Sequence, residues 1–225
     1  MTDDPKRSLT GAEVLAAGLA DWRLLMRALH GRFRTGDFVT GLRLAEGIGA
    51  VAEAAGHHPD VDLRYSFVDV RLVSHDVFAV TSRDVDLARR ISDVARGLGV
   101  AAEPEAVSLL DLALDTADAA AILPFWCAVL GHVPTSDGEI SDPAGSMPGL
   151  WFQETEPHDP PRQRFHLDVF VPHDQAEARV AAALAAGGTL VSTAHVPSFW
   201  VLADAQGNHA CVCTWQPAAT QQPAG

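Results

Sequence analysis

His57, His58 and His75 fall within 19 positions; two of them are adjacent and the third is followed by Asp76. An imidazole, with an unperturbed pKa of roughly 6.5, gives and takes protons near neutrality. Three imidazoles at the ends of predicted elements are candidates for general acid–base work. Two other readings stand beside this one. Three histidines also suffice for a catalytic zinc ion, although adjacent side chains usually diverge. A His-His-Pro run can simply close a helix and open a turn. Glu53, four residues before His57, and Asp76 add carboxylates able to orient an imidazole or touch a substrate.

The elements around these residues must bring them together. Thr10 and Glu13 have the spacing of a capping box. Val14, Leu15, Leu19, Trp22, Leu25 and Leu29 then follow at helix-like intervals across Gly18. Phe33 and Phe38 flank Arg34-Thr35-Gly36-Asp37, which predicts a small hairpin or strand pair. A helix is expected from Thr40 to Ala55, stopped by Gly56 at its C′ position, so His57 and His58 leave directly from its end. Asp62 to Ser74 alternates as one or two strands with His75 at the far end. Asp84 to Leu98 forms a further amphipathic helix. The order is α-β-β-α-β-β-α.

These residues resemble, in register, the pterin-4a-carbinolamine dehydratases over about residues 8 to 100. Glu53 stands four before His57, and His58-Pro59 follows. Five residues separate Pro59 from Tyr65, nine separate Tyr65 from His75, and eight separate His75 from Asp84. Trp22, Phe33 and Phe38 also match aromatic positions of that family. The resemblance implies an α+β fold with a four-stranded antiparallel sheet and helices on one face. It implies loss of water from a 4a-hydroxytetrahydropterin with no metal or organic cofactor. His58 and His75 would act as acid and base and His57 would position the substrate, with Glu53, Tyr65, Asp76 and Phe78 beside it. One departure is visible: the small residues, often Gly-Gly, that the family carries after its His-Asp are Val77-Phe78 here, which puts bulk at the site mouth.

After Ala101-Ala-Glu-Pro104-Glu105 the pattern restarts. Strands are expected at 107–114, 150–154, 164–171, 189–193, 199–203 and 210–215, with helices at 118–130 and 175–186. The order β-α-β…β then β-α-β-β-β is a weak internal repeat. Asp115-Thr-Ala-Asp118, Phe125-Trp126, Leu130-Gly131, Phe165-His166-Leu167-Asp168 and Asp204-Ala-Gln-Gly207-Asn208 resemble the glyoxalase/bleomycin-resistance/extradiol-dioxygenase superfamily. The resemblance implies paired βαβββ modules that curl into a cup-shaped sheet. Its metal positions carry over to Asp111, Gln153, His166 and His209, a set compatible with Zn²⁺, Fe²⁺ or Mn²⁺. The competing reading is a metal-free pocket lined by Trp151, Phe152, Phe199 and Trp200. Cys211 and Cys213 alternate onto one face and read as core thiols. His132, His158, His173 and His195 read as surface loop residues.

The expected division is therefore a dehydratase-like domain at 1–103 and a glyoxalase-like domain at 104–225. Among 225 residues the net charge is -13 with pI near 5.0, which argues against a basic nucleic-acid-binding surface. Three cysteines with no CxxC pair suggest a reducing, cytoplasmic setting. No apolar run is long enough for a signal peptide or a membrane span. The expected partners are a small-molecule pterin and a second copy of the chain, since both domain types commonly self-associate.

Overall fold

The computed structural model describes residues 4–130, 132–135, 137–156, 165–185, 187–203 and 209–219. His158 and the Asp204, Gly207 and Asn208 positions lie outside the described residues. The chain divides into two compact units, Met1–Val107 and Ser108–Gly225.

The first unit contains α1 (Gly11–Ala16), β1 (Arg23–Leu25), β2 (Ala28–Arg34), α2 (Phe38–Ala55), β3 (Asp60–Leu63), β4 (Phe67–Leu72), α3 (Ser82–Gly97) and β5 (Ala101–Ala102). The strands are ordered β1-β2-β4-β3, antiparallel throughout, and β5 adds a short fifth strand on β2 beyond the four expected. Cross-strand register sorts the two faces. Leu29 opposite Leu72, Gly31 opposite Val70 and Phe33 opposite Val68 face the helices. They meet Leu44, Ile48 and Ala52 of α2 and Leu87, Ala88, Ile91 and Ala95 of α3 in one apolar cluster. Each fully buried Leu, Ile or Phe contributes roughly 1.5–3 kcal/mol through area removed from water. The opposite face is ionic, with Arg32 paired to Asp69 at 2.5 Å and Arg71 to Asp60 at 2.7 Å.

Two local expectations change. The capping box on Thr10 forms, but α1 stops at Ala16 and Gly18 takes φ +67. A left-handed glycine is a natural helix stop, so Trp22, Leu25 and Leu29 belong not to a long helix but to a region led by the β1–β2 hairpin. The aromatic pair at 33 and 38 does not flank a hairpin either. Asp37 accepts a hydrogen bond from Thr40 N and caps α2, so Phe33 ends in a strand while Phe38 begins a helix.

His30, partly buried on β2 with Arg71 opposite it, is pushed down to about 4, first by burial and then by that arginine. The unfolded chain therefore binds a proton there at pH values where the folded chain does not. Stability contributed by neutral His30 is complete above roughly pH 6.5 and falls as pH drops toward 4. Thermal melts between pH 7 and 4 are expected to show a steeper acid loss for the parent chain than for a His30→Gln variant.

The second unit runs β6 (Leu109–Thr116), α4 (Ala119–Leu130), β7 (Val133–Pro134), β8 (Ile140–Ser141), β9 (Leu150–Glu154), β10 (Phe165–Phe170), α5 (Ala176–Ala185), β11 (Thr189–Ser192), β12 (Phe199–Ala203) and β13 (His209–Cys213). The two-residue strands β7 and β8 complete the first βαβββ module where the sequence pattern suggested mainly loop. The sheet order is β11-β12-β13-β10-β6-β9-β8-β7. Antiparallel β6 and β10 join the modules at the centre, and each pairs in parallel with the last strand of its own module. His132 is not a surface residue: it is 5% exposed, with Nε2 3.0 Å from Pro148 O.

Candidate functional site

The first site is built on one carboxylate. Helix α2 ends at Gly56, φ +59, which turns the chain so that His57 enters the interior. His57 is 8% exposed, and its Nε2 lies 2.7 Å from Asp84 Oδ1. Asp84 is wholly buried, and its Oδ2 accepts from Ser74 Oγ at 2.7 Å and Thr81 N at 2.8 Å. The same residue is N3 of the α3 capping box with Thr81. A buried carboxylate persists because its oxygens are met by several donors. Since an ionised carboxylate only accepts, His57 Nε2 carries a proton and, in the neutral ring, Nδ1 is left as an acceptor.

Through Asp84 the loop bearing His57 and His58 is tied to the turn bearing His75. Ser74 and Ala79 bracket that turn by a Ser74 N→Ala79 O bond of 3.0 Å. His75 is solvent-exposed within it. His58 points the other way from its neighbour: its side chain is 60% exposed, with Nε2 3.1 Å from Glu53 Oε1. Asp76 does not orient an imidazole. Its carboxylate is held by Arg83 at 2.6 Å and Lys6 at 3.1 Å, which keep its pKa down near about 2. Tyr65 lies exposed on the β3–β4 turn. Phe78 is exposed and has φ +50, the left-handed region that favours glycine. Sequence reasoning noticed the spacing of Asp84 but missed its role as the joint of the site. The Thr81-x-x-Asp84 capping signature was the available signal.

The second unit holds a cavity of about 230 Å³ on one face of its sheet. Trp151, Gln153, His166, Asp168, Phe199, Val201, His209, Cys211 and Cys213 line it. Their positions follow from register. Ala113 pairs with both His166 and Trp151, Asp111 pairs with Asp168, and Asp168 pairs with Cys211, so these side chains share one face. His166 is set between Asp115 and Asp168 at 3.7 and 3.4 Å, and the Asp168 carboxylate beside it raises its pKa. Trp151 Nε1 donates to Asp168 Oδ2 at 3.0 Å. Burial, then Glu139 and Asp168, push Asp111 up to about 6.

Of the quartet Asp111, Gln153, His166 and His209, the last three line this cavity. Among the described residues, the group of His, Cys, Asp or Glu whose ligand atoms all lie within 4.8 Å of one another is His166, Asp168 and Cys211. Gln153 Nε2 instead donates to Glu154 O at 3.2 Å, and Asp111 Oδ1 abuts Gly149, where an added Cβ would come within 3.0 Å. Cys211 and Cys213 are buried as expected, yet they line the cavity rather than only filling core. The hydrogen bond between them and burial hold the Cys213 thiol protonated.

Residues 7–94 match the family model described as pterin 4 alpha carbinolamine dehydratase, and residues 111–213 match the glyoxalase-like domain. A relative from Koribacter versatilis, named for pterin-4-alpha-carbinolamine dehydratase, is 34% identical over 90 residues, covering 39% of this chain and 96% of its own. A relative of the same name from Nocardia farcinica is 36% identical over 78 residues, covering 35% and 82%. A solved structure from Brucella melitensis, a transcriptional coactivator/pterin dehydratase, is 30% identical with a TM-score of 0.38, covering 40% of this chain and 99% of that one.

Proposed function

Since the chain belongs, through residues 7–94, to the pterin-4-alpha-carbinolamine dehydratase family, we propose that its first unit removes water from a 4a-hydroxytetrahydropterin to give the quinonoid dihydropterin. The observation that carries this reading is the shared carboxylate: Asp84 binds both His57 and the Ser74 hydroxyl, and so couples the two segments that bear the three histidines.

The elimination needs a proton delivered to the departing hydroxyl and a proton taken from the ring N–H. His58 and His75, both exposed, are the groups proposed to exchange those protons with the substrate. His57, fixed by Asp84, positions the substrate. Glu53 orients His58 through the 3.1 Å contact. Tyr65 and Phe78 supply contact area for the flat heterocycle, and Asp76 holds the His75 turn to α3 and the N-terminal segment through Arg83 and Lys6. None of these roles calls for a metal or an organic cofactor. A homo-oligomer acting on a free pterin completes the proposal. No helix among the described residues is long and apolar enough to cross a membrane.

The deciding assay is dehydration of 4a-hydroxytetrahydropterin by the intact chain, measured against the spontaneous rate. A rate no higher than spontaneous would sink the reading. Phe78 gives a finer test. If its ring only adds apolar contact to bound pterin, Phe78→Ala raises KM by roughly tenfold, about 1.4 kcal/mol of uniform binding, and leaves kcat unchanged.

A further inference from the structure

We infer that β11 and the end of α5 beside it form a surface on which a second copy of the chain docks, edge to edge, about a two-fold axis. This gives the proposed homo-oligomer a contact surface. It rests on that part of the proposed function and not on the dehydration chemistry.

Charge distribution singles the surface out. The second unit, Ser108–Gly225, carries 13 acidic residues against 3 basic ones, a net charge of -10. Two such bodies repel each other over most approaches. From Val180 to Ala203, however, 24 consecutive residues include no Asp, Glu, Lys or Arg. That stretch is the second half of α5, then β11, the connection after it and β12. It also leaves apolar side chains in water. Leu184 on α5 is 37% exposed, and Leu190 and Val191 on β11 are 46% and 48% exposed. Helix α5 packs against β11, so the three belong to one region. An apolar, uncharged area on an acidic body lets two copies meet without placing like charges together.

The strand itself is an open edge. β11 ends the eight-stranded sheet, and among the described residues it pairs with β12 alone. Proteins ordinarily blunt such edges with charge, proline or short strands. The other end strands follow that rule: β1 carries Arg23, β3 carries Asp60 and Asp62, and β7 is two residues long and ends in Pro134. β11, Thr189-Leu-Val-Ser192, has neither charge nor proline. Its register on β12 shifts between Leu190 and Ser192. Such an irregularity shortens the regular ladder, so the backbone edge and the apolar side chains must act together.

The partner follows from the same features. A basic partner would be drawn to the acidic surface elsewhere on the unit, not to its charge-free strand. An acidic partner other than this chain has no matching neutral strand on the page, whereas a second β11 supplies one. Antiparallel pairing of identical strands presents the same patch from both sides and closes at two copies.

The test uses the full chain in sedimentation, where the parent is expected at no less than twice its 23.9 kDa mass. Val191→Lys and Leu190→Lys change exposed positions that ordinarily tolerate substitution. Each is expected to halve the mass of the assembly. The contact should weaken about 100-fold, roughly tenfold for each of the two symmetric copies of the changed side chain. With the part-buried Cys127 changed to Ser, Val191→Cys should cross-link to its own copy through a short bis-maleimide. A two-fold between four-residue strands keeps position 191 within roughly 10 Å of its counterpart. A parent that sediments as one chain would overturn both this surface and the homo-oligomer proposed above. An assembly whose mass survives both lysine variants, or that fails to cross-link through position 191, would leave the homo-oligomer standing and overturn the surface.

Discussion

Replacing His58 with alanine is expected to slow pterin dehydration by about 10²–10⁴-fold while changing stability by no more than about 0.5 kcal/mol. The separation of the two effects follows from exposure. The His58 side chain is 60% exposed and touches a still more accessible Glu53, a type of ion pair worth little to the fold. Its imidazole is therefore free to serve chemistry. His57 makes the contrast. Its ring meets a buried carboxylate, so His57→Ala leaves Asp84 Oδ1 without its donor and should cost several-fold more stability than His58→Ala. Steady-state rates and denaturant melts on the two variants, compared side by side, check both statements. Equal loss of stability in the two would contradict the division of roles, and an unchanged rate in His58→Ala would remove that residue from the chemistry.

Asp84→Ala is the substitution expected to damage the fold most. It strips the donors Ser74 Oγ, Thr81 N and His57 Nε2 of their common acceptor and removes the capping box of α3. Breaking a buried, hydrogen-bonded ionic group costs about 3–5 kcal/mol, and loss of a helix cap about 0.5–2 kcal/mol, although the two overlap here and do not simply add. A fall of at least about 3 kcal/mol in chemical denaturation is the expected result. Asp84→Asn separates positioning from folding. The amide keeps the shape and one acceptor oxygen but sets an N–H₂ group against a donor. Under conditions where this variant remains folded, a positioning role for His57 predicts a higher KM and an altered pH profile. A purely structural role predicts parent-like kinetics at lower stability.

Much of this architecture was legible from residue order. The helix stop at Gly56, the strand alternation through Leu72 and the repeat of β-α-β units after residue 107 follow from local rules: left-handed tolerance of glycine, the two-residue period of a strand and the longer period of a helix. The register of His57, His58, Tyr65, His75 and Asp84 is likewise a property of the chain as written. Where local pattern misled, a longer-range preference won. Trp22, Leu25 and Leu29 have helical spacing, yet the sheet offers them a deeper place to bury than a helix broken at Gly18.

What the linear chain could not express is how neighbours part company. His57 and His58 are adjacent, but one turns inward onto Asp84 and the other outward onto Glu53. Only the packing of α2 against α3 decides which imidazole meets the buried carboxylate. The cup repeats the lesson. Cys211 reads as a core thiol and Asp168 as one acid among many until parallel pairing of β10 with β13 sets them side by side. Strand register across 43 residues of sequence, from 168 to 211, is set by the whole sheet. Residue types and spacing therefore determined which chemistry was available. The tertiary structure decided which groups share an environment, because burial and cross-strand distance belong to the folded chain.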